Sequence, residues 1–248
     1  MSPKPGPALA YIWGFPLVNV KRTTDFVTNP NVPAGPLRGP INTLNHFRVF
    51  PNADFTDVVR PNVDTLYSSA HLDLKNEPIV LQVPSISDRY YTIQFMEAYT
   101  NNFYYLGTRM NDTTGGTYLI SYPNWHGQVP SGMKEIKAPT NLVVVAIRML
   151  VKAPDDVSPV HSIQDKFVLS PLSVFESNRG STYATATARN TGSNASEIPV
   201  SPEPALIPKS GIKIFDEISK DMADNPPPAN QSSLIKKFET IGIGPPWF

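Results

Sequence analysis

The chain has 248 residues, no cysteine, and 21 basic side chains against 21 acidic ones. Disulfides, thiolate metal sites and cysteine nucleophiles are excluded, and the basic surplus that a nucleic-acid surface needs is missing. A chain of this length buries a core large enough to do without a metal or disulfide staple.

No apolar run approaches the ~20 residues of a membrane helix, so no membrane span is expected. The longest run, residues 142–151, has strand length and contains Arg148. Residues 1–7 carry no signal-peptide pattern, and the compartment stays open. Proline supplies 27 of the 248 residues, above the ~5% norm. Because proline is kept out of helix interiors and central strands, this suggests many short strands joined by fixed turns.

In chain order, residues 8–28 read as a helical lead-in. Leu9, Ile12, Trp13, Leu17 and Val20 recur at helical spacing, while Gly14 and Pro16 predict a kink or break. The segment 29–40 is dense in turn-forming proline and glycine pairs. Residues 54–151 read as the β core. In 65–74, Leu66, Ala70, Leu72 and Leu74 share one face, and Thr65, Tyr67, Ser69, His71 and Asp73 the other, which is the period of a strand. Strands are also expected over 79–83, 89–96 and 118–122. Residues 142–151, apolar on both faces, are expected to form a central buried strand. Gly115-Gly116 reads as a hairpin turn.

Beyond the core, Ser158-Pro159 is a helix-start signal, and Val160, Ile163, Phe167 and Val168 give an apolar stripe, so a helix is expected over 158–170. Residues 176–210, rich in Ser, Thr, Asn, Ala and Pro, read as a long loop or arm. Short helices are expected over 213–248, the last stopping at Gly242. The whole reads as one soluble, mainly β domain over 1–248. Its core is expected to be a β-sandwich or jelly roll, with an N-terminal helix and short C-terminal helices.

Several stretches carry a family resemblance. They are residues 11–17 (YIWGFPL), 58–74 (VVRPNVDTLYSSAHLDL), 89–109 (RYYTIQFMEAYTNNFYYLGTR), 116–130 (GTYLISYPNWHGQVP) and 160–173 (VHSIQDKFVLSPLS), with 138–141 and the tail 234–245 besides. Together they resemble the domain-of-unknown-function 1254 family along nearly the whole chain. The resemblance implies a β-sandwich with flanking helices, and an arginine where Arg148 stands. It implies no reaction. Many members carry a second, C-terminal domain of the unknown-function 1214 type, and this sequence is expected to stop before it.

The residues that could carry chemistry begin with the segment 60–67. Arg60 could clamp an anion, with Asn62 beside it and Asp64 and Tyr67 at a pocket rim. The plainer account is a turn in which Asn62 and Asp64 bond their own backbone and Arg60 pairs with an aspartate. Arg148 shares a strand face with Leu142, Val144, Ala146 and Leu150. It either snorkels to a structural partner or points into a ligand cavity. Arg89, on the strand expected beside it, is a third candidate for ligand binding. The tyrosines at 90, 91, 99, 104 and 105 suit packing better than a stacking platform.

None of the four histidines is spaced as a metal pair, and neither a metal nor a cofactor is expected. His46, next to Arg48, is the best polar candidate among them. At position 71 the resembled family more often has tryptophan, which counts against His71 as a ligand. No nucleophile elbow, phosphate loop or dinucleotide fingerprint occurs. Asn111, Asn194 and Asn230 are glycosylation sequons.

Two functional classes stay open. One is a domain that binds a small polar or anionic ligand, or a cofactor-independent enzyme acting on it. The other is an assembly subunit of a surface, filament or particle, forming a homo-oligomer.

Overall fold

The computed structural model describes residues 6–32, 35, 37–52, 55, 60–178, 189–191 and 211–245. Its elements are α1 (Pro7–Val27), β1 (Asn45–Phe47), β2 (Thr65–Asp73), β3 (Ile79–Val83), β4 (Tyr91–Glu97), β5 (Asn102–Gly107), β6 (Gly116–Ser121), β7 (Met133–Lys137) and β8 (Leu142–Leu150). After them come α2 (Val157–Gln164), β9 (Val168–Pro171), α3 (Leu172–Ser177), β10 (Arg189–Thr191), α4 (Ile214–Asp224) and α5 (Ser232–Glu239). One sheet has six strands in the order β10-β1-β2-β8-β4-β5, and the other has four in the order β7-β6-β3-β9.

Period-two patterning explains how the sheets face each other. Leu66, Ala70 and Leu72 of β2, Ile93 and Phe95 of β4, and Val143, Val145 and Ile147 of β8 point to one side of the six-stranded sheet. There they meet Ile79 and Leu81 of β3, Tyr118 and Ile120 of β6, and Ile136 and Leu169 from β7 and β9 in a single buried cluster. As its apolar run predicts, β8 is central, with a full antiparallel ladder to β2 on one side and to β4 on the other.

A second cluster covers part of the opposite, outer face of the large sheet. Leu17, Val18 and Val20 of α1, Ile214, Ile218 and Met222 of α4, and Ile235 and Phe238 of α5 pack there with Ala98, Tyr99 and Leu142, and Met96 and Val144 lie against them. Gly14 allows the close approach of α1 to α4, since a Cβ on it would fall 2.4 Å from the Ile218 side chain. Arg22 clasps Glu217 through two nitrogens. The Trp13 indole donates to Gln231 at 2.6 Å.

Four local expectations are corrected. No break falls at Gly14 or Pro16: helix α1 runs from Pro7 to Val27 with Pro16 inside it. The missing N–H and ring clash cost about 3 kcal/mol, and burial of Leu17, Val18 and Val20 outweighs that. The helix expected over 158–170 ends at Gln164. Residues 168–171 instead form β9 and pair with β3, because that ladder places Leu169 in the core. Gly115-Gly116 does not close a hairpin: β5 and β6 belong to different sheets, and Gly115, at φ 71°, sits against the Val83 carbonyl. Within 176–210, residues 189–191 form a strand parallel to β1; the rest of that stretch, from 179 on, lies outside the described residues.

Candidate functional site

The helices leave part of the outer face of the large sheet uncovered by their own apolar cluster. Over that part passes the segment between α1 and β2, and beneath it lies a cavity of about 320 Å³. Strand register decides what lines the floor. Tyr67 faces Arg148, Ser69 faces Ala146 and His71 faces Val144 across the β2–β8 ladder, all on the outer side. Leu37, Phe47, Pro51, Phe55 and Pro61 form much of the remaining wall, and Arg60 joins them. The Phe47 and Phe55 rings lie 5.5 Å apart.

Arg148 is half-buried. Its guanidinium sits over the Tyr67 ring, 5.5 Å from the centre. It donates to Gln94 Oε1 at 3.2 Å, and Gln94 in turn donates to Asn102 at 2.8 Å. That chain orients the guanidinium without neutralising it. Arg60 has a left-handed backbone, φ 55°, a conformation costing a non-glycine residue about 1–2 kcal/mol. Among the described residues, neither Arg60 nor Arg148 forms an ion pair.

Asn62 is a builder of the turn. Its side-chain oxygen accepts from the Asp64 and Thr65 backbone N–H groups at 2.7 and 3.0 Å, as an Asx turn does. Its own N–H donates to the Tyr67 hydroxyl at 2.7 Å, fixing the phenol. Asp64 is exposed and is not among the lining residues.

The other candidates lie elsewhere. Arg89 is buried, donates to Asp88, Asp156 and the Leu150 carbonyl, and closes an ion cluster next to the end of β8. His46 is fully buried on the core side, with Nδ1 2.7 Å from the Ser68 hydroxyl. Burial, then the nearby Arg48 charge, lowers its pKa to about 4. Arg48 binds the His161 carbonyl, Gln164 and Asp165, and so ties β1 to α2. Of the tyrosine run, Tyr91 is wholly buried while Tyr104 and Tyr105 stand exposed on β5. Asn111 and Asn230 are exposed, and Asn194 lies outside the described residues. Among the described residues, no three metal-ligating side chains converge.

Two lining residues were not among the candidates chosen from the sequence, and the family pattern had counted against one of them, His71. Ser69 is buried, and its hydroxyl has no hydrogen-bond partner among the described residues. His71 bonds Thr24 of α1 at 2.8 Å, and burial lowers its pKa to about 4. Both lay on the polar face of the 65–74 strand, which was the available signal. The aromatic wall left no comparable trace.

Fold and cavity define a mainly β, two-sheet domain with flanking helices and, on one outer face, a hollow whose lining includes two arginines. The family model described as "Protein of unknown function (DUF1254)" matches residues 41–171, and the chain belongs to that family. Among solved structures it is similar to the VPA0106 protein from Vibrio parahaemolyticus, at 18% identity and a TM-score of 0.66. The match covers 95% of this chain and 50% of that one, so the chain spans about half that protein's length. An uncharacterized protein from Burkholderia cenocepacia matches at 10% identity and a TM-score of 0.32, over 62% of this chain and 41% of that one. No curated protein matches.

Proposed function

We propose that the domain binds a small organic anion in the hollow over β2 and β8. The observation that carries this reading is that two arginines, Arg60 and Arg148, line one largely apolar cavity in which, among the described residues, no carboxylate takes part. For the half-buried Arg148, a cation without a counter-charge among the described residues is costly, and a bound anion would relieve that cost; Arg60 is exposed at the cavity's edge. Binding fits better than turnover. The one histidine in the lining, His71, has its pKa lowered to about 4 by burial, too low for an efficient general base near neutrality.

The test is calorimetric titration of the protein with acetate, benzoate and inorganic phosphate, alongside Arg148→Met and Arg60→Met. Anion binding by the wild type, weakened at least tenfold in both variants with their folds intact, is the expected result. Equal affinities in wild type and variants would refute it.

A second reading, self-assembly, draws on β5. This edge strand of the large sheet carries no charge and no proline, and exposes Tyr104 and Tyr105. Edge strands are usually guarded. The β7 edge carries Lys134, Glu135 and Lys137, and β9 ends in Pro171 and runs into α3. Light scattering that reports a monomer across a wide concentration range would rule this reading out.

A further inference from the structure

We propose that the anion is an elongated monocarboxylate of roughly ten non-hydrogen atoms, with its head at Arg60 and Arg148 and its apolar body lying along β2 toward His71. This rests on the anion-binding reading above and narrows it. The size follows from the cavity: about 320 Å³ is roughly ten times the ~30 Å³ that one water occupies in the liquid.

The shape follows from register. Arg148 stands opposite Tyr67, and Val144 opposite His71. Four residues of strand at ~3.3 Å each separate the two ends by roughly 13 Å. Among the described lining residues, charge is confined to the first end. At the second, the His71 ring is anchored to Thr24 at 2.8 Å and presents a neutral edge beside Val144. That arrangement would leave a second carboxylate without a counter-charge, so a dicarboxylate is disfavoured.

The wall chemistry argues against inorganic phosphate and against sugars. Leu37, Phe47, Pro51, Phe55, Val144 and Ala146 give the cavity a mainly apolar surface, which only an apolar body covers favourably. Midway along the floor, the buried Ser69 hydroxyl has no partner among the described residues. A ligand oxygen part-way along the chain would satisfy it, so a keto- or hydroxy-substituted body is preferred to a plain one.

The experiment titrates the protein with octanoate, 1-octanol, acetate, inorganic phosphate and 5-oxooctanoate by calorimetry. The same probes are applied to Arg148→Met, Ala146→Phe and Ser69→Ala. Octanoate should bind at least tenfold more tightly than acetate, phosphate or 1-octanol. Arg148→Met should remove that advantage. Ala146→Phe, which fills the hollow without touching the charges, should weaken octanoate and leave acetate binding unchanged. 5-Oxooctanoate should outbind octanoate in the wild type but not in Ser69→Ala.

Arginine-dependent binding of acetate or phosphate as tight as that of octanoate would overturn the proposed ligand class and leave anion binding standing. Equal binding of octanoate and 1-octanol, unaffected by Arg148→Met, would overturn both readings, as would no binding of any probe. If Arg148→Met fails to fold, Ala146→Phe decides the ligand class alone: unchanged octanoate affinity refutes it.

Discussion

Acidification from pH 7 to pH 5 should weaken the fold, and two histidines, His46 buried and His71 half-buried, set the size of the effect. His46 and His71 each have a pKa lowered from 6.5 to about 4 by burial. Between those values the unfolded chain binds protons that the folded chain refuses. Stability is therefore full above pH 6.5 and is lost as pH falls toward 4. Over the interval from pH 7 to 5, each histidine accounts for about 2 kcal/mol. Asp221 works in the opposite sense. Burial raises its pKa to about 6, so protonation favours the fold as pH falls, by about 1 kcal/mol over the same interval. The net expectation is a loss of about 2–3 kcal/mol, a large share of a typical domain's stability.

Urea unfolding at the two pH values measures it. His71→Gln keeps a group that can bond Thr24 but cannot titrate, and should remove about half of the histidine contribution. A midpoint that does not move between pH 7 and 5 would refute the reasoning. So would a wild-type shift that His71→Gln leaves intact.

Arg89→Met should destabilise the protein by about 2–4 kcal/mol, because it strips the guanidinium from Asp156 and Asp88. Calorimetry on the folded variant should find anion affinity unchanged, and a change would mean that Arg89 reaches the cavity after all. Arg60→Gly and Thr100→Gly both relieve left-handed backbones, at φ 55° and 70°, and each should gain about 0.5–1 kcal/mol in urea unfolding. Only Arg60→Gly should lose anion binding; equal affinities in the two variants would separate Arg60 from the site.

The framework was legible where one residue type has one physical consequence. The alternation through 65–74 and the double-faced apolar run at 142–151 could only be a half-covered strand and a central one, and they are β2 and β8. Arg148 stood out for the same reason, as a charge on a strand face. What sequence could not give was the partner across space. Residues 168–171 have an aliphatic pattern that fits a helix equally well until β3 is there to pair with them. Arg89 and Arg148 look alike in sequence, yet Asp88 and Asp156 neutralise the first while Gln94 only orients the second. The wall residue Phe47 ends a strand of three residues and Phe55 lies outside any helix or strand, too little chain for a period to show, so nothing local marked them.

The cavity sits where two requirements of the fold conflict. A sheet whose inner face packs on a partner sheet still needs its outer face either solvated or covered. Near Leu142 and Met96 the helices cover it with apolar side chains. Over Tyr67, Ser69 and Arg148 the segment between α1 and β2, with Leu37, Phe47 of β1 and Phe55, covers it instead, although the strands there present polar groups. Pure packing would have put aliphatic residues beneath that segment. The triple variant Arg148→Leu, Tyr67→Phe, Ser69→Ala makes that exchange. Removing a half-buried charge and an unpaired hydroxyl while adding apolar contact should stabilise the fold by about 1–3 kcal/mol. It should also abolish anion binding, the trade expected where polar groups are kept for function. A triple variant less stable than the wild type in urea would show that these groups hold the sheet and its covering segment together, and the case for a binding site would fall with that result.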